Sequence, residues 1–173
     1  MTDSIVAALI AACVALSVAY LTQFIAENYR RFRDGSALAA GLAGELGSYQ
    51  QPLPIIQAML KQCLTLVETN RRDDMTLRVF DRPVDLFFDQ AVAKLGLLGS
   101  STVEDVVFVY SNLRAFRMAF ELITKNYADM KDYELQSRLM ACKGALDRAV
   151  VRGAELLPKL HARATQQFNP FKP

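Results

Sequence analysis

From Ile5 to Ile25 the chain carries no charged residue, and only Ser17, Thr22 and Gln23 bring polar side chains into an otherwise apolar run. A helix rises ~1.5 Å per residue, so a run of this length covers about 31 Å, the thickness of a bilayer's hydrocarbon core. A core helix of a water-soluble domain would show a polar face, and this run has none. The pattern predicts a membrane-spanning helix. Two competing readings concern processing. A cleaved export signal opens with a basic segment, whereas this chain opens "MTDS". A lipoprotein signal would use the small residues of "IAAC" before Cys13. Only a short apolar stretch precedes that cysteine, however, and "VALSVAYLTQFIA" follows where a polar spacer is expected. The expectation is a retained anchor over residues 1–26, with the signal readings as its alternatives.

Beyond the run the pattern becomes helical in period. In "SALAAGLAGELGSYQ", Leu38, Leu42, Glu45 and Tyr49 share one face, and Ala37, Gly41, Gly44 and Ser48 form a small-residue stripe beside it. That stripe predicts a closely pressed neighbour, and "DGS" at 34–36 predicts a break before it. "QQPLP" at 50–54 ends the segment, because proline is tolerated only in a helix's first turn. Ile56, Leu60, Cys63 and Val67 mark the next helix. The charged "TNRRDDMTLRVFDRP" reads as a solvated connection with a short extended piece at "LRVF". Asp81 is the expected cap of a helix carrying Val84, Phe87, Phe88, Ala91 and Leu95, with Pro83 in its first turn and Gly96 as its stop. Ser101 and Glu104 have capping-box spacing ahead of Val106, Val109, Leu113, Phe116, Phe120 and Ile123. A last helix over about 128–166 bears Leu135, Leu139, Cys142, Leu146, Val150 and Leu157, and Pro158 should kink or end it. Short connections between such helices favour antiparallel neighbours. The predicted fold class is all-α: an N-terminal transmembrane helix, then a four- to five-helix antiparallel cytoplasmic bundle over residues 27–166. Residues 167–173 are expected to be a flexible tail.

Charge supplies the orientation. Arg30, Arg31 and Arg33 follow the run directly, and no Lys or Arg precedes it. The positive-inside rule therefore puts the C-terminal part in the cytoplasm, with Phe24, Tyr29 and Phe32 at the interface. Within the run, Ala7, Ala11, Ala15 and Ala19 recur every four residues. Such stripes let helices approach closely in lipid, so self-association is one reading; the other is that alanine is common in a marginally apolar anchor. After the run, 20 basic residues stand against 17 acidic ones, too mild an excess to argue for nucleic acid. The region from Arg138 onward is more basic and could touch anionic lipid, though its charges are scattered along a helix as on a solvated face.

Chemistry is sparse. No phosphate-binding loop, dinucleotide fingerprint, zinc-protease motif or nucleophile elbow is present. His161 is the single histidine, and Cys13, Cys63 and Cys142 are too far apart for a zinc or redox motif. No catalytic, cofactor or metal residue is predicted. Glu45 is the exception to a plain packing pattern: a carboxylate on an apolar face is costly unless partnered. Arg114 and Arg117 flank the stripe of a later helix, and Tyr110 lies one turn before Arg114. A buried structural cluster of Glu45, Tyr110, Arg114 and Arg117, with Glu45 ion-paired to an arginine, is the expectation; a ligand pocket built from the same residues is its alternative.

The succession of "NYRRFR", "SALAAGLAGEL" and "KLGLLGSSTVEDVVFVYSNLRAFR" after a short span resembles a group of uncharacterised bacterial single-pass inner-membrane proteins. The resemblance reaches to about Phe120 and rests on helix-packing motifs. It implies a bacterial inner-membrane location and a helical cytoplasmic part, and it carries over no catalytic residue. The expected function is a membrane-tethered, non-enzymatic helical module for protein–protein interaction or self-association. Its partners would be membrane lipid along the N-terminal helix and an unknown protein or a second copy. The alternative is a small membrane effector or regulator acting on the bilayer, of toxin or phage-defence type.

Overall fold

The apolar run and the first packed stripe belong to one uninterrupted helix. A computed structural model describes residues 2–78 and 85–169, with side chains from Ile5 onward. Among the described residues there are five α-helices, two 3₁₀ segments and no strand. Helix α1 spans Thr2–Ser48, α2 Leu53–Glu68, α3 Leu86–Ala91, α4 Ser100–Asn126 and α5 Asp132–Thr165; the 3₁₀ segments are Arg72–Asp74 and Val92–Leu98.

From residue 5 to residue 27 every side chain of α1 is exposed. None of its apolar window is buried against the rest of the chain, and it is the one described helix long and apolar enough to cross a membrane. The two hydroxyls in the run are satisfied on the helix itself, Ser17 donating to the Cys13 carbonyl and Thr22 to that of Val18, each at 2.8 Å. Burial begins only beyond the arginines. Leu38, Ala39, Leu42, Ala43 and Leu46 then turn into the core.

The break expected at residues 34–36 does not occur. Gly35 instead marks a close approach: a Cβ there would lie 2.8 Å from Nη2 of Arg163 and 3.0 Å from the Leu97 carbonyl oxygen. The parallel small-residue stripe is largely on the outside. Ala37, Gly44 and Ser48 are exposed, and only Gly41 is covered, by the ring of Phe87.

Helix α5 is the central element, packed against α1, α2 and α4. It runs opposite to α4, with the Cys142 thiol 3.6 Å from the Phe116 carbonyl, Arg148 on Asn112 at 2.9 Å and Lys159 on Asp105 at 2.7 Å. Leu135, Leu139, Cys142, Leu146, Leu156 and Leu160 are its fully buried residues. Proline at 158 does not end it. Pro158 cannot bond the carbonyl of Ala154, but both residues are exposed, so water can serve that carbonyl.

Helix starts also depart from the sequence pattern. Helix α4 begins at Ser100 after Gly99, which is left-handed (φ 84°), and neither Ser101 nor Glu104 forms the expected capping box. Gly96 lies within the 3₁₀ segment that continues α3, so Gly99 is the stop. Asp81, Pro83, Val84 and part of "LRVF" lie outside the described residues, as do residues 170–173 of the tail. Phe168, in the part of the tail that is described, packs against Tyr29 and Phe32.

Candidate functional site

The polar side chains of the helical body gather where α3 meets α1 and α4. Asp85 stands immediately before α3 and is only 3% exposed. Its carboxylate accepts two hydrogen bonds from Arg117, at 2.6 and 2.7 Å, one from Arg114 at 3.4 Å and one from the Tyr49 hydroxyl at 2.8 Å. Arg114 also pairs with Asp89, one turn along α3. Asp85 occupies the capping position of α3, yet its side chain makes no cap bond.

Glu45 supplies that cap from α1. Its two carboxylate oxygens accept from the backbone N–H of Phe87 at 2.9 Å and of Phe88 at 3.1 Å, the groups a capping side chain ordinarily serves. The Tyr110 hydroxyl donates a third bond to Glu45 at 2.7 Å. Phe88 then stacks on Tyr110, with centroids 4.0 Å apart and planes 9° from parallel, and the Arg114 guanidinium lies over the Phe88 ring, 5.1 Å from its centroid. The expected Glu45–arginine ion pair is therefore not formed. Tyr110 meets Glu45, while both arginines turn to Asp85, which sequence reasoning passed over. Asp85 sits between the arginines of α4 and Tyr49, the residue after α1, and no periodic stripe runs through it. Its only sequence signal was an acid directly before "LFF".

Electrostatics keep Asp85 and its arginines charged and both phenols protonated at neutral pH. Burial alone would raise the Asp85 pKa, but hydrogen bonds from Arg117, Tyr49 and Arg114 and the Arg117 charge bring it below the ordinary carboxylate value. Burial, then the bond to Asp85, pushes the Tyr49 hydroxyl up to about 12. Burial and the Glu45 carboxylate push Tyr110 up as well. Each phenol is thus a fixed donor and each arginine a fixed cation. No buried side-chain polar atom among the described residues lacks a partner. The arrangement fastens α3 to α1 and α4.

A second polar clamp lies at the turn from α4 to α5. Arg72, in the connection read as a solvated loop, donates to the carbonyls of Met130 at 2.5 Å, Ala128 at 2.9 Å and Tyr127, and pairs with Asp132 at 3.1 Å. It satisfies carbonyls of the turn that joins α4 to α5. Asp105 forms a third, with Lys159 at 2.7 Å and Arg152 at 3.2 Å.

Beside Tyr49 lies a groove of about 300 Å³ lined chiefly by apolar residues, among them Leu46, Leu53, Val109, Leu113 and Leu157. His161 is exposed, and Cys63 and Cys142 are buried. Burial pushes the Cys142 thiol up to about 12, so it stays protonated as a core residue. No group of three or more metal-binding side chains occurs among the described residues. Ala7, Ala11, Ala15 and Ala19 all lie exposed on the free half of α1. Comparison with protein-family models, curated proteins and solved structures finds no match for this chain.

Proposed function

We propose that the chain is a single-pass inner-membrane protein. In this reading α1 anchors an antiparallel bundle of helices in the cytoplasm, and the bundle acts as a non-enzymatic module for protein–protein interaction or self-association. The observation that carries the proposal is the exposed apolar half of α1, continuous with the half that packs into the body. Water is a poor solvent for so long an uncovered apolar surface, and lipid is a good one. The arginines at 30, 31 and 33 support a cytoplasmic body.

Two further observations support an interaction role. On the outer face of α4, Met118 and Leu122, one turn apart, are 72% and 42% exposed. An exposed apolar pair of this kind suits a partner helix. The polar cluster around Asp85 and Glu45 is bonded within itself, as a structural fastening is. The test is the mass of the full chain after mild detergent extraction. A self-associating module gives assemblies larger than 19.3 kDa plus detergent. Met118→Glu with Leu122→Glu should then shift the mass downward. A monomer that co-purifies with no protein would count against the proposal.

Self-association through the span has its own signature. Cys13 lies about 180° around the helix from the centre of the Ala7–Ala19 stripe at 100° per residue. Oxidative crosslinking should therefore be poor through Cys13 and efficient through Ala11→Cys or Ala15→Cys in a Cys13→Ala background.

A further inference from the structure

Resting on the reading of residues 5–25 as a membrane span, we infer that the end of α5 joins the start of α1's packed half to form a surface that binds anionic lipid headgroups. The three arginines after the span are sequence neighbours, but their fourth companion, Arg163, comes from the far end of the chain. Its guanidinium carbon lies 4.7 Å from the centroid of the Phe32 ring. It donates to the Ser36 hydroxyl and the Gln166 side chain, each at 3.3 Å. The missing side chain of Gly35 leaves room for it. Five residues on, Phe168 closes against Tyr29 at 5.2 Å and Phe32 at 5.3 Å between centroids.

Depth follows from helix geometry. At ~1.5 Å per residue, Tyr29 lies about 6 Å and Phe32 about 10 Å beyond Ile25 along α1. The headgroup layer on one side of a bilayer is about 5–8 Å thick. Tyr29 thus sits in that layer and Phe32 just beyond it, and Arg163, which reaches Phe32 and Ser36, lies at the layer's outer surface. Aromatic rings favour this zone.

Charge points the same way. Along α5, Arg138 pairs with Glu134, Lys143 with Asp147, and Arg152 and Lys159 with Asp105. Arg163 has no carboxylate partner among the described residues, and neither Arg30 nor Arg31 has one. Arg33 makes a single long contact with Asp34, at 3.7 Å. Across residues 24–36 and 160–169 four arginines face two carboxylates, Glu27 and Asp34. A guanidinium carries five N–H donors in a fork that matches phosphate oxygens, and those of Arg163 are only partly used.

The test uses the full chain in phosphatidylcholine nanodiscs. A donor dye sits on Gln167→Cys in a Cys13→Ala background, and trace acyl-labelled phosphatidylglycerol or phosphatidylcholine is the acceptor. Energy transfer should report several-fold enrichment of phosphatidylglycerol near residue 167. A basic residue near an anionic surface is worth about 1 kcal/mol, or roughly fivefold. Arg163→Gln should lower the enrichment by about that factor, and Arg163→Lys should retain most of it. Arg30→Gln with Arg31→Gln, which breaks no internal bond, should lower it too. Arg148→Gln is the control: Arg148 also has no carboxylate partner among the described residues but lies 15 residues, about 22 Å, before Arg163 on α5. Equal transfer to both lipids, or a preference unmoved by the Arg163→Gln and Arg30/Arg31 variants, overturns the inference while leaving the anchor intact. Failure of the chain to enter the discs overturns the anchor and this surface together.

Discussion

Removal of the Asp85 carboxylate should release α3. Asp85→Ala strands Arg117, deprives Arg114 of one of its two acids and leaves the Tyr49 hydroxyl without its acceptor. Breaking a buried ion pair by removing one partner costs about 3–5 kcal/mol. Two features lower that figure here. The side chains of Arg117 and Arg114 are 22% and 45% exposed, so water reaches both, and Arg114 keeps Asp89. A loss of about 2–3 kcal/mol is expected once this solvent screening is allowed for. It should be local first, because α3 has only six residues and otherwise holds by the Glu45 cap and the burial of Phe88. Hydrogen exchange of a peptide covering residues 85–98, in detergent-solubilised full chain, reads this directly. Its protection should fall by about 30- to 150-fold, at about 1.4 kcal/mol per tenfold, while peptides from α2 and the middle of α5 change little. Adding Arg117→Ala should cost less than the two single losses together, as coupled partners do. Unchanged exchange of α3 in Asp85→Ala, with overall stability within about 0.5 kcal/mol of the parent, would refute the fastening.

Three other outcomes follow from the same packing. Gly44 is a helical, exposed glycine with open space around its missing Cβ, so Gly44→Ala should stabilise by about 0.5–1 kcal/mol in urea unfolding. Leu139 is fully buried, and Leu139→Ala should cost about 2–5 kcal/mol by the same measurement. Acid should weaken the body through Asp85: its folded pKa is depressed, so its contribution is complete above the unfolded value of about 3.9 and fades as pH falls through the folded value. Melting temperatures between about pH 2 and 5 should therefore fall less steeply for Asp85→Asn, itself less stable at neutral pH, than for the parent.

The apolar stripes were legible because burial repeats at helical period. Leu60, Cys63 and Val67, or Leu135, Leu139, Cys142 and Leu146, announce a buried face wherever they sit, and all of these are buried. Periodicity shows which face turns inward but not what lies across it. Glu45 illustrates the limit. Its inward face was readable from Leu38 and Leu42, but its partners are backbone N–H groups of Phe87 and Phe88, which have no sequence signature. Asp85 was invisible for the converse reason, since a single residue outside a helix has no period. Local punctuation also misled where tertiary contact overrides it. "DGS" reads as a break, yet at Gly35 the Arg163 side chain and the Leu97 carbonyl press close against a continuous α1. Arg72 looked like part of a solvated run because the carbonyls it binds lie more than fifty residues downstream.

Alkaline carbonate extraction asks whether residues 5–25 hold the body at a membrane. Membranes from cells making the full chain are washed at about pH 11, which strips proteins bound by charge and spares those bound by a buried helix of about 20 apolar residues. The chain should remain with the lipid pellet, and Val14→Arg with Leu16→Arg should release it, since each charge at mid-span costs about 2.5–3.5 kcal/mol on insertion scales. Recovery of the unaltered chain in the carbonate supernatant would contradict the anchor.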